Sequence, residues 1–295
     1  MNEEKNKYIS KYNKNNYKMY QFRVKKSETE LIEKLDKQSN RNNYIVSLIK
    51  DKINIDKNVY NNDNRFSRTS TLIGDGSMII LKKSKVIVFG VGGVGGYVVE
   101  TLARSGVGQI DIVDFDKVSL TNINRQIIAL SSTVDKLKID VLKERMLDIN
   151  PNVIVNAYPM YLDASNIDTF DLKQYDYVID AIDSVTSKLL LIEYCIKNNI
   201  NIISSMGTGN KLDPSLLKIS DISKTSVCPL AKVIRYELRK RNINHLKVLF
   251  STETPIKRFV EESENKKSPA SISFVPSVAG ILIAREVIIN LTKIE

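Results

Sequence analysis

The chain has 295 residues, 42% of them apolar and 26% charged, with a formal net charge of +10. That exceeds one typical domain, supplies enough apolar side chain for a real core, and excludes the bias of disordered or fibrous chains. The longest apolar stretch, residues 86–99, is broken by five glycines and is too short for a membrane span, so a soluble, cytoplasmic protein without a membrane partner is expected. Cys195 and Cys228 make no C-x-x-C pair and His245 is the only histidine, which leaves disulfide frameworks, zinc ribbons and histidine-dependent catalysis little to work from.

Positive charge is concentrated at the start: residues 1–60 carry 14 Lys/Arg against 8 Asp/Glu, a pattern suited to a polyanionic partner. Residues 1–16 lack a hydrophobic period and read as a flexible tail. Tyr20, Phe22 and Val24 then alternate with Gln21, Arg23 and Lys25, the period of a half-buried strand with a basic outer face. Ser27 and Glu30 open a helix with Leu31, Ile32 and Leu35 on its apolar side, and Tyr44, Ile45, Leu48, Ile49 and Ile53 form the stripe of a second. Strand, helix and helix over 17–54 bury too little surface to stand alone. The segment resembles the ribbon-helix-helix family, and that resemblance implies pairing with a second chain and reading of DNA by Gln21, Arg23 and Lys25. A plain dimerisation arm fits the same pattern.

Residues 55–64 are a polar linker, and 65–295 read as one alternating α/β domain. Strands are expected over 86–89, 109–114, 177–181 and 200–205, and helices over 95–105, 136–150, 187–197 and 229–241. This order implies βαβ units and a doubly wound, mostly parallel Rossmann-like sheet. The closing apolar stripe of Val278, Ile281, Leu282, Ile288 and Leu291 reads as a core helix.

Between the first strand and helix, VIVFGVGGVGG sets Gly90, Gly92 and Gly95 in G-x-G-x-x-G spacing, with Gly93 beside them. Glycines there permit a tight turn and close approach of phosphate to free N–H groups at the helix start. Asp114 ends the next strand, where an acid can hold a ribose hydroxyl. A dehydrogenase would fit this much equally well. The text then runs DFDKVSLTNINRQI, with Lys138 thirteen residues past Arg125, and hydride transfer has no use for Asn122, Arg125 and Lys138 together. Cleavage of ATP at its α-phosphate does, because negative charge grows on the departing pyrophosphate.

This succession resembles the adenylation domain shared by ThiF, MoeB and ubiquitin-activating enzymes. The resemblance implies ATP as cosubstrate, phosphates along Gly92 and Gly93, ribose on Asp114, and triphosphate on Asn122 and Arg125. It also implies that Lys138 assists pyrophosphate departure, that Asp183 of DAIDS associates with Mg2+, and that Arg68 of RFSRTSTLIG reaches the ATP of a homodimer partner. Downstream, SSMGTGNKLDP, DISKTSVCPLAKVIRYELRKR and SFVPSVAGILIAREVI resemble the tRNA threonylcarbamoyladenosine dehydratase branch. In that branch the substrate's own carbamoyl group captures the activated carboxylate, so no enzyme nucleophile is needed and Cys228 is expected to be a core residue. A tRNA footprint is expected on Lys232, Arg235 and Arg239, which recur on one helix face beside Tyr236, and the loop over 257–271 is expected to be mobile. A sulfur-transfer partner is compatible with the resemblance. Two other functions stay open: activation of a ubiquitin-like or sulfur-carrier protein, and DNA-binding regulation with a degenerate nucleotide domain.

Overall fold

The computed structural model describes residues 29–37, 41, 44–47, 49, 64–256 and 269–294. The chain divides into two compact units, Met1–Val59 and Tyr60–Glu295. In the first, α1 (Thr29–Asp36) coincides with the expected first helix, and Arg41, the run from Tyr44 to Ser47, and Ile49 are helical. The expected strand with Gln21, Arg23 and Lys25, the tail over 1–16, most of the linker and residues 257–268 lie outside the described residues.

The second unit opens with α2 (Ser67–Lys83), which Gly74 interrupts with a non-helical backbone at φ 81°. There follow β1 (Lys85–Phe89), α3 (Gly95–Arg104), β2 (Gln109–Val113), α4 (Lys138–Ile149), the short β3 (Ala157–Tyr158) and β4 (Tyr177–Asp180). After these come α5 (Val185–Lys197), β5 (Ile202–Ser205), β6 (Leu217–Asp221), α6 (Pro229–Lys240), β7 (Lys247–Ser251) and α7 (Phe274–Thr292). The seven strands form one sheet in the order β3-β2-β1-β4-β5-β7-β6, parallel except for β6 on β7. The inner strands read as unbroken apolar runs because helices cover both faces, as parallel sheets require. One core, with Val86, Val88, Ile110 and Ile112, lies under α3, α4 and α7, and the other, with Ile87, Phe89 and Val178, under α5 and α6.

Two readings need correction here. The sequence pattern did not reveal β3, β6 or β7, and the antiparallel pair of β6 and β7, joined through α6, closes one edge of the sheet. In α7 the core-facing side is Val275, Ala279, Gly280, Ile283, Ala284 and Val287, whereas Val278, Leu282, Ile288 and Leu291 are half-buried and Ile281 is 44% exposed. Small residues win that face because α3 comes very close: a Cβ on Gly280 would lie 2.4 Å from the Val94 carbonyl. This helix is long and apolar enough to cross a membrane, yet it packs here against the sheet and α3.

Strand order reverses between β1 and β4, since the chain winds outward from β1 through β2 to β3 and then restarts at β4. In doubly wound sheets, ligands bind beyond the carboxyl ends of the strands at such a switch point.

Candidate nucleotide and substrate site

A cavity of about 820 Å³ opens at the switch point. Its walls come from the ends of β1 (Gly90, Gly92, Gly93), β2 (Asp114 to Asp116), β4 (Ala181 to Ser184) and β5 (Ser205 to Gly209), closed by Asn122, Arg125, Gln126 and Lys138 on one side and Pro269, Ser271 and Pro276 on another.

The glycine turn has two kinds of member. Gly90 has φ +84° and a Cβ there would stand 2.7 Å from the Ala181 carbonyl, while one on Gly95 would stand 1.8 Å from the Gly90 carbonyl. These two close the turn, and Gly95 does not itself line the cavity. Gly92 and Gly93 face the cavity, with only ordinary contacts to Gln126 and to Arg125 and Pro276. A cradle lined by bare backbone suits phosphate.

Asp114 holds the turn from the other side, accepting the Val91 N–H at 2.8 Å and the Asp116 N–H at 2.9 Å. Burial raises its carboxyl above the usual value, against the opposing pull of Lys138 and of the two N–H donors. Lys138, first residue of α4 and buried, places its ammonium 2.6 Å from Asp116 Oδ2. Asp116, the second acid of D-F-D, was given no role from sequence, and it is the group that aims the lysine. Asn122 is buried and accepts the Ser119 N–H at 3.1 Å, fixing the short turn before Arg125. Arg125 is half-buried and donates to the Thr121 carbonyl at 3.0 Å and to Asn124 Oδ1 at 2.9 Å, which leaves donors of its fork for a ligand. Gln126 Oε1 is buried at the cavity wall without a hydrogen-bond partner, an acceptor that a polar ligand would satisfy.

Asp183 is exposed on the β4 side of the cavity. Below it, Asp180 forms a fully buried ion pair with Lys188 at 2.8 Å and accepts from Ser204 at 2.6 Å and from the Ile182 N–H at 3.1 Å. Lys188 also donates to the Ser205 carbonyl at 3.0 Å, so this pair ties together the two loops forming that wall. At the rim Phe115 and Tyr161, 54% and 42% exposed, meet edge to face at 5.3 Å. Neither Tyr161 nor Gln126 could have been assigned from sequence, since one lies in irregular chain and the other is distinguished only by burial.

The remaining candidates stand outside this cavity. Arg68 is exposed on the first turn of α2. Cys228 caps α6, is 2% exposed and lies 4.0 Å from the Gly207 carbonyl without lining the cavity. On α6, Lys232 and Arg239 are exposed, Arg235 is half-buried and bonded to the carbonyl and hydroxyl of Thr225, and the Lys240 ammonium sits 4.2 Å over the Tyr236 ring. Among the described residues no group of three or more His, Cys, Asp or Glu is placed to hold a metal, so Asp183 offers a single carboxylate.

The ThiF family profile matches residues 66–295. The chain belongs to the ThiF family. Among ThiF-family relatives, a tRNA threonylcarbamoyladenosine dehydratase of Bacillus subtilis is 45% identical over 241 residues, covering 78% of this chain and 95% of that protein. The protein of the same name from Haemophilus influenzae is 43% identical over 180 residues, 61% of this chain and 69% of its own length. The solved structure of Escherichia coli tRNA N6-threonylcarbamoyladenosine dehydratase in complex with ATP aligns with a TM-score of 0.72 and 31% identity over 78% of this chain and 94% of that one. A more distant ThiF-like fold, Escherichia coli MccB with ATP, aligns with a TM-score of 0.53 at 22% identity.

Proposed function

We propose that the chain uses ATP to adenylate the threonyl carboxylate of threonylcarbamoyladenosine in tRNA and releases the cyclised nucleoside. The observation carrying this reading is one cavity that joins a backbone phosphate cradle to Arg125 and Lys138 while presenting no thiol on its wall. The substrate carboxylate attacks the α-phosphorus, pyrophosphate leaves, and Arg125 and Lys138 stabilise the charge that accumulates on it. The substrate's carbamoyl group then attacks the acyl carbon and expels AMP, which carries away one former carboxylate oxygen, so the nucleoside loses one water overall. Holding both groups in one pocket substitutes proximity for an enzyme nucleophile. The 45% identity to a dehydratase aligned over 95% of its own length supports this choice over carrier-protein activation.

Mg2+ fits the site as an ion held by Asp183 together with ligand oxygens, the way this metal is usually bound by one or two carboxylates and phosphates. It would offset polyphosphate charge. A homodimer is supported by apolar side chains left in water on the second unit, among them Leu72 at 85% exposure and Leu120 at 71%. In such a dimer Arg68 reaches the partner's ATP. The exposed α6 face of Lys232, Arg239 and Tyr236 receives tRNA, and the reaction belongs to the cytoplasm, where tRNA is.

The test combines protein, Mg-ATP and tRNA bearing the nucleoside in a buffer without nucleophilic amines, which would open the product ring. The expected products are AMP, pyrophosphate and a nucleoside lighter by one water, with Cys228→Ser retaining most activity. ATP consumption that requires a Gly-Gly-tailed protein, with the nucleoside unchanged, would overturn the reading in favour of carrier activation.

A further inference from the structure

Three lysines are buried among the described residues: Lys138, Lys188 and Lys211. Two carry their own counter-charge, Lys138 on Asp116 at 2.6 Å and Lys188 on Asp180 at 2.8 Å. Lys211 is 4% exposed and its ammonium donates only to the Gly207 carbonyl, at 3.0 Å. Glu253, whose oxygens accept the N–H groups of Leu212 and Asp213 at 2.8 and 2.9 Å, forms no ion pair with it. Among the described residues no anion balances it, and leaving an ammonium buried in that way is costly.

Gly207, half-buried, lines the cavity together with Thr208 and Gly209, so the unbalanced charge sits one carbonyl behind the cavity wall. Its backbone is fixed. Asn210, left-handed at φ 57°, donates its N–H to Ala270, accepts the Ile256 N–H on its carbonyl and accepts the Ala270 N–H on its side chain. The position is also distinct from the polyphosphate cations. Lys138 pairs with the loop after β2, whereas Gly207 follows β5, three strands away, roughly 14 Å at the usual spacing between strands.

We propose that Lys211 is a positioning residue for a second anion in this cavity, the carboxylate of the substrate: its charge, acting from behind the Gly207 carbonyl, draws the carboxylate to the β5 side for attack on the α-phosphate. This rests on the carboxylate-adenylating function given above. The charge is held in a buried, fixed site, where weak screening lets it act on a carboxylate in the cavity without direct contact.

The test measures binding to the full-length protein, with a non-hydrolysable ATP analogue present, of tRNA bearing threonylcarbamoyladenosine and of the same tRNA with the threonyl carboxylate replaced by carboxamide. Wild type should prefer the carboxylate by roughly tenfold, since a charge a few ångströms away in a weakly screened interior favours the anion over the neutral amide. Lys211→Met should erase that preference, leave affinity for the ATP analogue unchanged, and melt at the same or a higher temperature, because it removes an unpaired buried charge. Should that variant fail to fold, Lys211→Gln, which keeps a donor to the Gly207 carbonyl but no charge, takes its place with the same expected loss of preference. A wild type that forms the cyclised nucleoside yet binds both tRNAs equally overturns the inference and leaves the function standing. Equal weakening of both tRNAs in Lys211→Met would assign the lysine to an RNA phosphate and also overturn it. A wild type that binds neither tRNA and makes no cyclised product sinks the function itself.

Discussion

Arg125 and Lys138 reach the same cavity by different routes, and each route makes a test possible without unfolding the protein. Arg125 is anchored by the Thr121 carbonyl and Asn124, both in its own turn, and Lys138 by Asp116 across the mouth of β2. Neither cation is woven into the apolar core. Arg125→Ala and Lys138→Ala should each lower turnover roughly a hundred- to thousandfold, the usual loss when one donor to developing charge is removed. Far-ultraviolet circular dichroism and the melting temperature should stay near wild type. Near-normal turnover in either variant would remove that residue from the site. The positions carrying charge or a glycine turn, Gly90 to Gly93, Asp114, Asn122 and Arg125, were legible because spacing alone places them on a strand-to-helix turn or the loop after it. Lys211, Gln126 and Asp116 were not, because what singles them out is burial and the presence or lack of a partner, which residue letters do not record.

At the level of elements, two ionic links brace the sheet and its helices. Asp180 at the end of β4 and Lys188 on α5 are both fully buried, and each is spent on the other and on β5. Lys188→Met strands a buried carboxylate and should cost about 3–5 kcal/mol, whereas Asp180→Asn combined with Lys188→Met should recover part of the loss. Denaturant titration of the two variants against wild type checks this, and a Lys188→Met protein as stable as wild type would show that the pair does not hold the loops. A second link joins α3 to α4 through Glu100, which meets Arg104 at 2.7 Å and Arg145 at 2.6 Å. Burial pushes its carboxyl up, but hydrogen bonds and charge from Arg145 and Arg104 outweigh burial and hold it below the usual glutamate value. A carboxylate with a lowered folded-state value adds stability above its unfolded value and loses it as pH falls through the folded one. Glu100→Gln should therefore lower the melting temperature at neutral pH and flatten its decline below about pH 4. Parallel melting curves from neutral to acid would contradict this role. Inner strands and amphipathic helices were readable from their apolar runs and helical period. The β6–β7 pair did not stand out because β6, at the sheet edge, is mostly half-exposed and β7 offers only Val248 to Phe250 as an apolar run, and α7, apolar around most of its circumference, offered no clear period from which to choose its buried face.

Across the whole molecule, the question is what the first unit adds to the second. Residues 66–295 carry the ThiF match, and the relative from Bacillus subtilis, aligned over 95% of its own length, leaves about a fifth of this chain unmatched. Every candidate adenylation residue, from Arg68 to Asp183, lies beyond residue 60, and among the described residues the hydrogen bonds that position Asp114, Asn122, Arg125 and Lys138 come from the second unit itself. The basic surplus of residues 1–60 acts instead as charge that any polyanion feels. Removing residues 1–60 should thus keep kcat for tRNA-dependent ATP cleavage within a few-fold of wild type. The same deletion should weaken RNA binding at low salt and make its affinity fall less steeply with salt, since fewer counterions are released. Sequence-specific DNA reading by this segment would add a further signature: the full-length protein should favour one duplex over others, and Arg23→Ala should abolish that preference while leaving tRNA turnover intact. Binding blind to sequence would leave only an electrostatic or dimerising arm. A deletion that destroys ATP cleavage at every salt concentration would instead make the first unit part of the catalytic machinery, against the placement of all its candidate residues beyond the linker.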